Sequence, residues 1–209
     1  MTYSIKETYL TIQGEGVYTG RVAVFCRFAG CNLWSGLEED RANAVCRFCD
    51  TEFVGIDGPG GGKFDSPENL TNHILSFWSG TDKPFVVFTG GEPLLQMDDE
   101  LIEELKKGHV EIAIETNGTI IPPDSIDWIC VSPKQEAELL VTKGNELKIV
   151  YPQDGLDPSN FLGLDFDVFS LQPMDGPEYK DNLQQTMHYC RTHPEWRLSL
   201  QTHKYLQIP

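Results

Sequence analysis

Phe85-Val86-Val87-Phe88-Thr89-Gly90-Gly91-Glu92-Pro93 is the stretch that decides how this chain folds. Its first four residues are apolar on consecutive rather than alternating positions, which suits a parallel strand covered on both faces. Two glycines end the run where the backbone can come close to another group. Related apolar or β-branched runs read as further strands at Val22–Phe28, Glu111–Glu115, Trp128–Ser132, Glu146–Val150, Asp167–Leu171 and Arg197–Gln201.

Helices fill only some of the intervals. Ser66 is placed as an N-cap, with Pro67 in the first helical position and the helix running to about Trp78. Met97–Lys107 is acidic at its start and basic at its end, with Gly108 beyond it, and Pro177 to about Thr192 reads as a third helix. The intervals after Glu115 and Ser132 are too short or too proline-rich for long helices. This pattern predicts an α/β fold: an incomplete, TIM-like barrel of mainly parallel strands, forming a single domain over residues 1–209. Gly55–Gly62 reads as a mobile glycine-rich loop, and residues 32–45 as a charged insertion.

Composition narrows the possible activities. An apolar fraction of 40% with 23% charged residues fits a globular protein, and no apolar run approaches the roughly 18 residues of a membrane span. Met1-Thr-Tyr-Ser-Ile-Lys6 lacks the basic and apolar regions of a signal peptide, which predicts a cytoplasmic protein with no membrane partner. A net charge of -16 argues against nucleic-acid binding and favours a small-molecule substrate. An anionic substrate would need local cations such as Arg27 or Lys134.

In a reducing compartment, clustered cysteines read as metal or redox ligands. Cys26, Cys130 and Cys190 lie on apolar segments and read as buried structural thiols. Cys31, Cys46 and Cys49 follow a Cys-x14-Cys-x2-Cys spacing, and three thiolates leave one coordination position free, as a catalytic iron–sulfur cluster requires. Structural zinc would need a fourth ligand. His73 falls outside finger or ribbon spacing, while Cys130 and His188 or Cys190 stay open as alternatives. Polar residues crowd the strand exits at Arg27–Cys31, Thr89–Glu92, Glu115–Asn117, Ser132–Lys134, Gln172–Asp175 and Gln201–His203, where parallel α/β folds bind ligands.

Several stretches in order now carry a family resemblance: Tyr9-Leu-Thr-Ile-Gln13-Gly-Glu15-Gly16, Arg27-Phe-Ala-Gly-Cys31-Asn-Leu-Trp34, Cys49-Asp50-Thr51, Gly90-Gly-Glu-Pro93, Glu115-Thr-Asn117-Gly118, Ser132-Pro-Lys134, Gln172-Pro-Met174 and Gln201-Thr-His203-Lys204. Over nearly its whole length the chain resembles the radical S-adenosylmethionine superfamily, and within it the 7-carboxy-7-deazaguanine synthase family of the 7-deazapurine route to queuosine. The fourteen residues between Cys31 and Cys46 depart from the three that most of the superfamily has. Lengthening a loop costs closure entropy only slowly, so the ligands can stay together if the loop ends do.

The resemblance implies a lyase that contracts the ring of 6-carboxy-5,6,7,8-tetrahydropterin to 7-carboxy-7-deazaguanine with loss of ammonia. It gives Cys31, Cys46 and Cys49 to a 4Fe-4S cluster whose free corner takes S-adenosylmethionine. Phe48, Asp50, Gly91 and Glu92 are implied to contact that cofactor, as are Ser132, Pro133 and Lys134, and Gln172, Pro173, Met174 and Asp175. For the substrate it implies Ile12, Gln13, Gly14 and Glu15 at the pterin edge, Arg27 at the carboxylate, Thr89 and Gly90 at the ring, and His203 with the terminal carboxylate of Pro209 closing the pocket. Thr51 is implied to supply a hydroxyl to Mg²⁺. An electron donor such as flavodoxin and a homodimer are the implied partners. Two alternatives stand beside this reading: another radical enzyme such as a glycyl-radical activase, and a noncatalytic zinc-binding module.

Metal analysis separates the last of these. Protein purified and reconstituted without oxygen is expected to be brown, with about four irons and about four sulfides per chain; a colourless sample with one zinc and no sulfide would contradict both enzyme readings.

Overall fold

The structure, a computed structural model, describes residues 2–209; Met1, which opens the N-terminal stretch read above, lies outside the described residues. One sheet organises the chain. Its strands are β1 (Tyr3–Ile12), β2 (Val22–Phe28), β3 (Gly62–Phe64), β4 (Phe85–Gly90), β5 (Glu111–Thr116), β6 (Trp128–Val131), β7 (Lys143–Tyr151), β8 (Asp165–Pro173) and β9 (Trp196–Leu198), in the order β3-β1-β2-β4-β5-β6-β7-β8-β9. From β2 through β4 to β9 every neighbouring pair is parallel. β1 runs antiparallel to both β2 and β3. β3 and β9 remain as edges, so the sheet forms the incomplete α/β barrel that the sequence predicts.

The doubly apolar strands explain the layering. On the helix side, Val24, Phe28, Val86, Phe88, Ile112 and Ile114 pack against Leu70 and Ile74 of α1 (Pro67–Leu75) and Leu101, Ile102 and Leu105 of α2 (Asp99–Lys107). The intervening residues Ala23, Phe85, Val87 and Ala113 are also buried, under Tyr18 and Trp128. Farther along, Leu147, Ile149, Leu171 and Trp196 pack with Tyr189 and Cys190 of α3 (Tyr179–Thr192). Ser66 caps α1 by accepting from Asn69 N at 3.1 Å, and Asp98 caps α2 by accepting from Leu101 N at 3.0 Å. No helix among the described residues is long and apolar enough to cross a membrane.

Three segments differ from their reading in the sequence. β1 does not show there as a strand, because a register shift between Ile5 and Glu7 breaks its period-two pattern and buries Lys6. That lysine is held by Glu52 and Asp57, each at 2.8 Å. The glycine-rich loop, expected to be mobile, is laid along β1 and leads into β3. Thr8 N donates to Pro59 O and Gly58 N to Lys6 O, and a Cβ on Gly61 would stand 2.2 Å from Lys6 O, which is why glycine is needed there. The last predicted strand stops at Leu198 rather than Gln201: the chain turns so that Thr202 N and Oγ1 both donate to Gly14 O at 2.9 Å. A short helix, α4 (Thr202–Leu206), follows.

The α2 stripe generates a prediction. Leu101→Ala removes a fully buried side chain and is expected to cost about 2–5 kcal/mol of unfolding free energy by urea titration. The half-exposed Leu140 serves as the control, because Leu140→Ala should change stability by less than about 0.5 kcal/mol; equal losses would contradict the assigned packing.

Candidate active site

The C-terminal ends of the parallel strands surround a cavity of about 500 Å³. The hairpin loop between β1 and β2 crosses its inner side, reaching Glu115 of β5 through Gln13, Glu146 of β7 through Val17 N, and Ser199 beyond β9 through Gly16 N. α4 packs against that loop, through Thr202 on Gly14 O and His203 on Gly14. Thr11 Oγ1 donates to Pro209 O at 2.8 Å, so the end of the chain comes to the same mouth.

The cysteines reach this cavity on two loops that are tied together. Cys31, Cys46 and Cys49 all line it. Leu33 O accepts from both Val45 N at 3.1 Å and Cys46 N at 3.2 Å, which closes the long insertion at its base and returns Cys46 beside Cys31. Within the insertion, Trp34 and Ala44 pack on Phe53, and the Arg41 guanidinium stacks 4.0 Å over Trp34 while donating to Arg47 O and Cys49 O. Leu33 N donates to Cys31 Sγ at 3.4 Å. A hydrogen bond from Cys46 brings the Cys49 thiol down to about 6 and raises that of Cys46. Among the described residues, no three His, Cys, Asp or Glu side chains converge where one metal ion could sit. Zinc needs a fourth ligand to close its site, whereas cluster thiolates each bind a different iron, so three thiols lining one cavity fit a cluster.

Gly90 and Gly91 pack the β4 exit against the Cys31 loop. A Cβ on Gly91 would stand 2.3 Å from Gly30 O and 2.5 Å from Cys31 Cβ, and Glu92 N donates to Gly30 O at 3.0 Å. The backbone that these glycines admit so closely is therefore the chain's own. Glu92 is fully buried and turned away from the cavity. Its carboxylate accepts from Leu94 N at 3.0 Å, Thr116 Oγ1 at 2.9 and 3.0 Å, and Asn117 N at 2.8 Å. Burial pushes this carboxyl up despite those donors. In place of the cofactor contact that the family motif implies, its carboxylate joins the exits of β4 and β5. Pro133 and Met174 also lie behind the lining rather than in it.

The other residues carried over from the resemblance share the one cavity. Phe48, Asp50, Thr51 and Gly91 come from the cysteine side; Ser132, Lys134, Gln172, Pro173 and Asp175 from the exits of β6 and β8; Ile12, Gln13, Gly14, Glu15, Arg27, Thr89, Gly90, His203 and Pro209 from the remaining walls. Burial pulls the Lys134 ammonium below the ordinary lysine value, and it donates to Ser132 O and Oγ at 2.7 Å. Arg27 donates through Nε to Glu7 at 2.7 Å and through Nη2 to Tyr9 OH at 3.2 Å. His203 packs directly on Gly14, where a Cβ would meet the ring at 2.3 Å.

Lys204, Gln201, Lys148 and Glu115 also line the cavity, although the sequence reading gave them no ligand role. Lys204 bridges Asp50 at 2.7 Å and Asp175 at 2.6 Å, and Gln201 donates to Asp50 and Glu15. Lys148 is buried between Glu15 at 2.6 Å and Glu115 at 3.0 Å. Burial opposes its charge, but Glu115 and Glu15 more than reverse that and hold it well above the ordinary lysine value. Burial likewise pushes Glu15 up, and Lys148 brings it below the usual carboxylate range. A lysine inside the apolar run Glu146-Leu-Lys148-Ile-Val150 was the available signal, since such a charge needs a partner.

Residues 40–135 match the Radical SAM superfamily. Over its full length the chain is 58% identical to the 7-carboxy-7-deazaguanine synthase of Burkholderia multivorans and 57% identical to that of Caulobacter vibrioides, covering all of each. The crystal structure of QueE from Escherichia coli is similar with a TM-score of 0.69 at 27% identity, covering 96% of this chain and 94% of that one.

The buried triad predicts a pH-dependent stability. Lys148→Met leaves two carboxylates facing each other and should cost about 2–3 kcal/mol at pH 7, less than a fully enclosed pair because Glu115 stays partly exposed. A depressed carboxyl contributes stability above its unfolded pKa of about 4.3 and loses it as pH falls through the folded value. The deficit of the variant should therefore shrink as pH falls below about 4 in urea titrations, and a deficit unchanged from pH 7 to about pH 3 would contradict the assigned charges.

Proposed function

The chain belongs to the 7-carboxy-7-deazaguanine synthase family, and from that premise we propose that its cavity contracts 6-carboxy-5,6,7,8-tetrahydropterin to 7-carboxy-7-deazaguanine with release of ammonia. One observation carries this reading: Cys31, Cys46 and Cys49 line the same cavity as Arg27, Glu15 and the exits of six parallel strands, β2 and β4 to β8. A protein-activating radical enzyme would have to admit a polypeptide there.

Cys31, Cys46 and Cys49 would hold a 4Fe-4S cluster, with S-adenosylmethionine against Phe48, Asp50, Gly91, Ser132, Lys134, Gln172 and Asp175. When bound, these groups would supply the radical chemistry needed for hydrogen abstraction at the pterin. The chain's own residues aim and shelter the reacting centre. Lys134, enclosed beside Cys46 and Cys49, offers a cation to a carboxylate on the cofactor side. Arg27 offers a planar fork to the carboxylate on the substrate side. Gln13, Gly14 and Glu15 face the pyrimidine edge, and His203 and Pro209 narrow the mouth. Thr51 offers a hydroxyl to Mg²⁺, a hard cation suited to substrate oxygens. A flavodoxin-like electron donor, a homodimeric assembly and a cytoplasmic setting complete the proposal.

The test is anaerobic reconstitution followed by incubation with the pterin, S-adenosylmethionine and a reductant. The expected outcome is 7-carboxy-7-deazaguanine and ammonia with no net loss of S-adenosylmethionine, and no product from Cys46→Ala. Stoichiometric consumption of S-adenosylmethionine, or indifference to the pterin, would contradict the proposal.

A further inference from the structure

Among the cavity residues to which the family resemblance gives no role is Glu115. Gln13, Glu15, Lys148 and Glu115 form a closed ring of hydrogen bonds. Gln13 Nε2 donates to Glu115 Oε1 at 3.1 Å, Lys148 Nζ donates to Glu115 Oε2 at 3.0 Å and to Glu15 Oε2 at 2.6 Å, and Glu15 N donates to Gln13 Oε1 at 3.0 Å. Two carboxylates against one ammonium leave a single net negative charge on a ring whose four members all line the cavity. An ionised carboxylate accepts up to about four hydrogen bonds, so each oxygen of Glu115 has a lone pair to spare after its partner in the ring. Its side chain keeps 24% of its surface exposed, whereas that of Lys148 keeps 4%. The ring thus turns acceptors toward the ligand and keeps its cation behind them.

Register supplies the second, independent argument. Arg27 pairs with Thr89 across β2 and β4, and Phe88 pairs with Ile114 across β4 and β5, so Glu115 follows at the level of Thr89. Phe28, Phe88 and Ile114 are buried against the helices, which turns Arg27, Thr89 and Glu115 to the cavity side. Arg27 and Glu115 are then two strand spacings apart, about 10 Å at Cα. An anion reader and a donor reader face one space across a span that suits a bicyclic ring with a carboxylate at one end and N–H groups at the other.

We infer that Glu115 is a specificity-determining residue, accepting from the N–H donors of the aminopyrimidinone edge of the substrate while Lys148 acts as the positioning residue that holds Glu115 and Glu15 in place. This rests on the proposed pterin chemistry and extends it to a residue and a discrimination that the chemistry alone does not assign. Without an acceptor pair at that edge, a ligand with a carbonyl in place of the 2-amino group would bind equally well. With one, that carbonyl oxygen meets carboxylate oxygen and is rejected.

The experiment compares 6-carboxy-5,6,7,8-tetrahydropterin with its 2-oxo analogue in wild-type protein and in Glu115→Gln and Glu115→Ala, with helix content and iron content read in parallel. Wild type should favour the amino compound in kcat/KM by about 100-fold, and the variants should reduce that preference about tenfold or more, chiefly through KM. Equilibrium titration of both compounds into wild-type protein gives a reading that no variant's folding affects. Equal affinities there, or variants that lower kcat/KM for both compounds equally and leave the preference at the wild-type value, overturn the inference while leaving the proposed reaction standing. Wild-type protein that converts neither compound overturns the proposed reaction and the inference with it.

Discussion

The mouth of this half-barrel depends on one buried carboxylate. Glu92 has no exposed surface, so its charge must be met by fixed donors, and those come from its own turn and from the exit of β5 at Thr116 and Asn117. Its backbone N–H ties the same turn to Gly30, next to Cys31. Asn117 continues the chain of contacts by donating to Asn32 at 2.9 Å, and Asn32 donates to Thr119 at 2.7 Å. One group therefore fixes β4, β5 and the first cysteine loop relative to each other. Leaving any of these buried donors unpartnered would cost roughly 1–3 kcal/mol, a large share of the stability of a typical domain.

Around that junction the cavity carries fixed charges of both signs. The cysteine side holds Lys134, a cation whose burial makes it sensitive to the negative groups it faces. The substrate side holds the Gln13–Glu15–Lys148–Glu115 ring, with a hydrogen bond on every member. Lys204 spans Asp50 and Asp175 on the rim, joining the second cysteine loop to the β8 exit through the end of the chain. Fixed charges of both signs inside one enclosed space can orient a substrate that carries an anion and a donor edge without reorganising when it arrives. Strand register places Arg27 on β2, Glu115 on β5 and Lys148 on β7, whereas Glu15 and Lys134 come from the loops that follow β1 and β6 and are held there by hydrogen bonds.

Much of this was legible in the sequence, for reasons that can be named. Phe85–Phe88 and Val22–Phe28 announce themselves because both faces are buried, and Ser66-Pro67 marks a helix start through capping chemistry. The strand exits could be read as site walls because parallel strands end on one side. β1 was not legible, since its bulge disrupts alternation, and the glycine-rich loop looked mobile although its glycines serve close packing against Lys6 and Thr8. Glu92 could not be told from a ligand-binding carboxylate by motif alone, because its partners at Thr116 and Asn117 are more than twenty residues away. Lys148 carried a signal, a charge in an apolar strand, but its two partners come from other elements that only the assembled sheet brings together.

The account stands on the three cysteines leaving one corner of a cluster open to the cavity. Electron paramagnetic resonance of the reduced, reconstituted protein, recorded before and after addition of S-adenosylmethionine, tests this most directly. The account predicts that the cluster signal changes when the cofactor is added; a signal that stays the same at saturating S-adenosylmethionine would contradict it.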